Sequence, residues 1–129
     1  VAGGDPSTEM RRVHDGCRRI VDTLLTSICP GVTFDQAAQN AEKALQPLAG
    51  KVFFSGVFGY TVGAQFPPSW VEGSGFIARG GNVEFRPGMV FHLPICLRIP
   101  GQWGIGCSET ILVTDAGAEP ITDNPWTLG

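Results

Sequence analysis

His92, Tyr60 and Glu109 are the residues of this chain whose chemistry is hardest to explain as packing alone. His92 stands in the apolar, β-type run GMVFHLPICLRI. An imidazole is the side chain whose unperturbed proton exchange falls nearest neutrality, so it suits a general acid or base; the plainer alternative is a strand histidine satisfied by a neighbour. Tyr60 is bracketed by glycines in Gly59-Tyr60-Thr61-Val62-Gly63. Its hydroxyl can donate to a substrate carboxylate or a developing oxyanion, or it can be a packed aromatic with its hydroxyl satisfied. Glu109 is a carboxylate inside GIGCSETILVT, and buried carboxylates have a partner or a purpose. The period of a strand puts Ser108 and Glu109 on opposite faces, so only one of them can share a given site. Trp70 and Trp103 are expected in loops, where they can line a pocket and hold the positive group of a small zwitterionic solute through cation–π contact, or else pack in a core or an interface. The candidate set is therefore His92, Tyr60 and Glu109 for catalysis, and Trp70, Ser108 and Trp103 for substrate binding.

The elements that must position these residues are readable in outline. Asp5-Pro6-Ser7 supplies a cap and a first-position proline for a helix, with Glu9 in the first turn. Met10, Val13, Cys17, Ile20, Val21, Leu24 and Ile28 make one apolar stripe. His14 and the arginines Arg11, Arg12, Arg18 and Arg19 are expected beside or opposite it, on the surface. Pro30-Gly31 ends that helix, and Thr33 with Gln36 has the spacing of a capping box for a second. The second helix presents Phe34, Ala37, Ala38, Ala41, Ala44 and Leu45 as a flat face and stops at Pro47. From Val52 the texture changes to short β-type runs punctuated by Gly and Pro. Strands are expected at Val52–Phe54, Gly59–Ala64, Gly75–Ala78, Met89–Ile99, Gly104–Thr114 and near Pro120–Thr122, with a turn over residues 115–118. Two helices followed by an antiparallel sheet is an α+β pattern.

Bulk properties exclude several classes. The chain has 129 residues, enough for one core, with 43% hydrophobic and 16% charged residues, 18 glycines and 10 prolines. A net charge of −3 and the lack of a basic cluster interleaved with aromatics argue against nucleic acid as a partner. No apolar run is long enough for a membrane span. No signal peptide is visible, which suggests a cytoplasmic setting. The loop-like opening VAGGDPS, without a methionine, suggests a segment of a longer protein. Four cysteines show no metal-type spacing. On one helix Cys17 and Cys29 are about 18 Å apart, beyond the reach of a disulfide. Cys96 and Cys107 can face each other across a hairpin, and reduced thiols are the expectation for this compartment.

The segment VAGGDPSTEMRRVHDGCRRIVDTLLTSICPGVTFDQ, with its helix, Pro-Gly-Val-Thr turn and second helix, resembles the creatinase/aminopeptidase P, or pita-bread, hydrolase family. FRPGMVFHLPICLRIPGQWGIGCSETILVTDAGAEPIT resembles that family's terminal hairpin and closing strand. The resemblance implies that residues 1–129 are the C-terminal half of a pita-bread catalytic domain. A missing N-terminal half of the same protein would then bring two metal-binding aspartates, and the assembly is expected to be a homodimer. In the family's metallopeptidases the three ligands from this half match Tyr60, Pro94 and Ser108, none of which suits a divalent cation. The segments around Tyr60, Phe66-Pro67-Pro68-Ser69-Trp70, His92 and Ser108-Glu109-Thr110 are most similar to ectoine-hydrolase-like members. The resemblance thus implies hydrolysis of a C–N bond in a small solute with no metal cofactor, His92 acting as acid/base and Tyr60 and Glu109 orienting the substrate. The alternatives are an Xaa-Pro-type metallopeptidase with Mn, Zn or Co bound, and an inactive fragment or interaction module.

Overall fold

Ser7 closes the start of the first helix, its hydroxyl accepting a hydrogen bond from the Met10 N–H at 3.2 Å. In the computed structural model, which describes residues 4–63 and 75–128, helix α1 runs Thr8–Ser27. Pro6 thus precedes the cap instead of filling the first helical position. The expected stripe is buried: Cys17, Ile20 and Leu24 are fully inaccessible, and Ile28, just past the helix, joins them. His14 departs from expectation, for it is only 9% exposed. It lies one turn before Cys17, at the border of the stripe, and the C-terminal residues Trp126 and Leu128 share a cavity with it.

Helix α2, Phe34–Leu45, begins with the predicted capping box: Gln36 N–H donates to Thr33 Oγ1 at 3.2 Å and Thr33 N–H donates to Gln36 Oε1 at 2.9 Å. Ala37, Ala38 and Ala41 are fully buried, so the flat face is the packed one. Pro47 does not end the helix abruptly but sits in a 3-10 turn, Gln46–Leu48, that continues it.

The strands are β1 Gly59–Thr61, β2 Phe76–Ile77, β3 Val90–Ile99, β4 Trp103–Thr114 and β5 Gly117–Pro120. They form one antiparallel sheet in the order β2-β1-β3-β4-β5. The strand expected at Val52–Phe54 is reduced to a single bridge between Phe53 and Arg98. The closing strand starts earlier than expected, because Asp115 and Ala116 alone make the turn and Gly117 resumes pairing opposite Thr114. Trp103 is not a loop residue: it is the first residue of β4, opposite Ile99.

Alternation along the long hairpin decides what each residue sees. Phe91, Leu93, Ile95 and Leu97 of β3, with Cys107, Glu109, Ile111 and Val113 of β4, point at the helices and are buried. Fully burying each leucine or isoleucine contributes about 1.5–3 kcal/mol, and this layer joins α1 and α2 in one core. Val90, His92, Pro94 and Cys96, with Ser108, Thr110 and Leu112, occupy the other face. Cys96 pairs with Gly106 and Cys107 with Ile95, so the two thiols lie on opposite faces and do not meet across the hairpin. All four cysteines are free thiols.

Pairing of β4 with β5 ends at Ile111 and Pro120, after which the Ile121 N–H still reaches the Thr110 carbonyl at 2.7 Å. From Trp103 to Cys107 the outer edge of β4 has no strand beside it among the described residues. Among those residues no helix is long and apolar enough to cross a membrane.

Candidate active site

Register builds the site. Tyr60 of β1 is paired with Phe76 of β2 on one side and His92 of β3 on the other, and His92 is paired with Thr110 of β4. Residues directly opposite on antiparallel strands project to the same face. Phe76, Tyr60, His92 and Thr110 therefore form a row across four strands, on the face away from the helices. The Tyr60 and His92 rings meet edge to face, with centroids 5.4 Å apart and planes at 60°. One step along the same face, Pro94 lies opposite Ser108, which is exposed. Pro94 lacks an N–H to give to a ladder, and it lies beyond the two β3 residues, Phe91 and His92, that pair with β1.

The His92 imidazole is half-buried, and burial pushes its pKa below the ordinary histidine value of 6.5. Its ring nitrogens form no hydrogen bond or ion pair with the described residues. Burial thus disfavours the charged form of the imidazole, whose ring nitrogens have no partner among the described residues.

Glu109 is not part of this row. Strand alternation turns it to the helix side, where it is 3% exposed and opposite Leu93. There Thr122 Oγ1 donates to its Oε1, Asn124 Nδ2 donates to its Oε2 at 3.2 Å, and the Thr110 N–H donates to Oε1 at 2.9 Å. Asn124 also donates to the Ser108 carbonyl at 3.1 Å. The carboxylate therefore ties the C-terminal tail to β4 beneath the site and does not meet His92 or Tyr60. Trp103 shares the parity of Glu109 along β4 and packs, half-buried, against the core instead of lining the open face. Trp70 lies outside the described residues.

The sequence reading missed Thr110 and Phe76. Thr110 is two residues from Ser108, so alternation already placed it on that face. Its pairing with His92 follows only once the hairpin is known to close through Pro100, Gly101 and Gln102, with Ile99 opposite Trp103.

Among the described residues there is no group of three or more His, Cys, Asp or Glu able to hold a metal ion. The positions that the resemblance assigns to metal ligands, Tyr60, Pro94 and Ser108, do come together on one face. Their donor set is a phenol, a carbon ring and an aliphatic hydroxyl. Divalent cations of the Mn, Zn and Co type want carboxylate or imidazole, so these residues do not fit one.

Comparison with known proteins agrees with the fold. The family profile described as metallopeptidase family M24 matches residues 1–115. An uncharacterised hydrolase/peptidase of Sinorhizobium fredii is 29% identical over 125 residues, covering 97% of this chain and 30% of its own length. The ectoine hydrolase of Halomonas elongata is 34% identical over 70 residues, covering 54% of this chain and 17% of its own. Among solved structures, the dipeptidase PepE from Mycobacterium ulcerans superposes with a TM-score of 0.84 at 26% identity, over 97% of this chain and 32% of that one. The chain spans about a third of the length of the relatives that it matches end to end.

Proposed function

Because this chain belongs to metallopeptidase family M24, we propose that it supplies half the active site of a hydrolase of the ectoine-hydrolase kind, which opens a C–N bond in a small, compact solute. The observation that carries this reading is the row Tyr60–His92–Thr110, in which a half-buried imidazole, its nitrogens without a partner among the described residues, stands against a phenol. His92 takes a proton from the attacking water as the C–O bond forms, and returns it to the nitrogen as the C–N bond breaks. The Tyr60 hydroxyl donates to the oxygen on which negative charge develops. Thr110 and Ser108 offer hydroxyls to the substrate's polar groups from the neighbouring strand. Glu109 acts from below, holding β4 and the tail together, which revises the substrate-orienting role expected of it. Since Tyr60, Pro94 and Ser108 do not fit a divalent cation, no step is routed through one.

A second half of the same protein completes the site on this reading, and a homodimer is the expected assembly. The four free thiols suit a cytoplasmic setting. The test is elemental analysis of the full-length protein, then a screen of cyclic amidines, guanidino compounds and Xaa-Pro dipeptides with and without chelator. Turnover of an amidine or guanidino compound that resists chelation and disappears in His92→Asn supports the proposal. Stoichiometric divalent metal, with chelator-sensitive cleavage of Xaa-Pro dipeptides, overturns it in favour of the peptidase. No turnover of any of these compounds would leave an interaction module.

A further inference from the structure

Beyond Ser108 the C-terminal tail parts from β4 and leaves a slot at the outer edge of the strand. In an antiparallel strand the N–H and C=O of one residue point to the same side, and the side alternates residue by residue. Thr110 directs its carbonyl outward to the Ile121 N–H at 2.7 Å, and Ser108 directs its own to Asn124 Nδ2 at 3.1 Å. Gly106 is next in that alternation, so its N–H and C=O point outward too, and among the described residues nothing pairs with them. The tail does not reach them. At Trp126 it bends through a φ of 51°, a left-handed conformation disfavoured for a residue with a Cβ, and the indole packs against the core. Between Gly106 and the tail lies a cavity of about 310 Å³, walled by Pro125, Trp126 and Leu128 and floored by His14 of α1. His14 is 9% exposed, and its Nδ1 comes no nearer to a partner than 3.8 Å, at the carboxylate of the exposed Asp15. Its ring nitrogens form no hydrogen bond with the described residues. No fully buried side-chain nitrogen is left without a partner among those residues, so the His14 nitrogens reach open space, and the space that His14 lines is this cavity. No Asp, Glu, Lys or Arg lines it. Of the residues used in the proposed hydrolysis it shares only Ser108, whose carbonyl is already taken by Asn124.

We propose that this slot binds a short, uncharged, extended peptide, taken up as an added strand on β4. One residue of an extended peptide carries an N–H and a C=O on the same side, at the spacing that Gly106 presents. The two residues therefore exchange two hydrogen bonds as one antiparallel pair. The side chain of the paired residue projects to the open face of the sheet, over Gly106, where no Cβ stands in its way. The side chains of its two neighbours project to the other face, into the cavity and over His14. A hydroxyl or carboxamide there, as in Thr, Ser, Asn or Gln, hydrogen-bonds the imidazole, while its carbon stem lies against Trp126 and Leu128. A charged side chain meets no Asp, Glu, Lys or Arg to offset its loss of water. The peptide is thus selected by backbone pairing at Gly106 and by a polar, uncharged side chain at His14.

The experiment titrates the full-length protein with acetyl-Thr-Val-Thr-amide by calorimetry and follows the Gly106 amide and His14 ring resonances by NMR. Expected is saturable binding that shifts both. The same peptide with its valine N-methylated should bind about tenfold more weakly or worse, because it has lost the hydrogen bond to the Gly106 carbonyl. Acetyl-Val-Val-Val-amide, which has the same shape without the hydroxyls, should bind more weakly than the threonine peptide. His14→Phe should erase that preference, which a merely structural role of His14 would not do. Should the variant fail to fold, the three peptides on the unsubstituted protein decide by themselves. No saturable binding, shifts confined to the Tyr60–His92 row, equal affinity for the N-methylated peptide, or a dimer paired through this edge that the peptide leaves intact would overturn the proposal.

Discussion

His92 and Glu109 show how differently two polar residues of one hairpin can be used. Replacing His92 with Asn should lower turnover of the whole protein by about 10²–10⁴-fold, the usual contribution of a general acid/base, and kcat measured against the substrate found in the screen checks it. The unsubstituted protein should lose activity as pH falls, with an acid limb below 6.5 because burial moves His92 downward. The same shift has a stability consequence. The unfolded chain takes up the proton at a higher pH than the folded one, so stability is full above the ordinary histidine value. It is lost as pH falls from there towards the folded value. Urea titrations between pH 7.5 and 5 should show that slope, and His92→Asn should flatten it. Glu109→Ala should behave otherwise, destabilising the chain by about 1–3 kcal/mol through the unpaired Thr122 and Asn124 groups it leaves behind. Denaturant midpoints measure this, and no pH-dependent change in turnover should accompany it.

At the scale of elements, the helices were the most legible part. The apolar stripe of α1 and the Thr33–Gln36 capping box are local patterns, and each is met in the structure. Thr33→Ala should therefore lower stability by about 1 kcal/mol, as loss of a helix cap does, read as a shift in the thermal midpoint. The hairpin was legible as two strands but not in its register, which depends on the length of the Pro100–Gln102 turn. That is why Ser108 and Glu109 could be placed on opposite faces without either being assigned to the row, and why Thr110 was overlooked. His14 was misread because its surroundings include residues more than a hundred positions away, which no helical periodicity can reveal. Gly59 carries a constraint invisible in the sequence: a Cβ there would lie 2.7 Å from Leu93 Cδ2 and 3.0 Å from the His92 carbonyl oxygen. Gly59→Ala should thus destabilise the sheet by about 1–3 kcal/mol, the range of core overpacking, and disturb the His92 strand with it. A chemical-shift map of backbone amides would locate the change along β1 and β3.

For the molecule as a whole, the α+β class and the pita-bread likeness were both readable from sequence, because the helix, Pro-Gly-Val-Thr turn and terminal hairpin keep their order over the matched residues 1–115. Substrate chemistry was less readable: the chain spans about a third of the length of its relatives, and in the proposed function a second half completes the site. One feature of the fold bears on how the chain behaves in a concentrated solution. The outer edge of β4 from Trp103 to Cys107 has no neighbouring strand among the described residues, and its backbone groups form a template that another chain's strand can extend. Gly104 and Gly106 leave that edge without bulky side chains to fend off a newcomer. Samples held at high concentration should then thicken by lateral addition of strands, with a rising intermolecular amide band in the infrared. A lysine at Gly106 should slow that growth, because a charge at the rim makes each added copy repel the next.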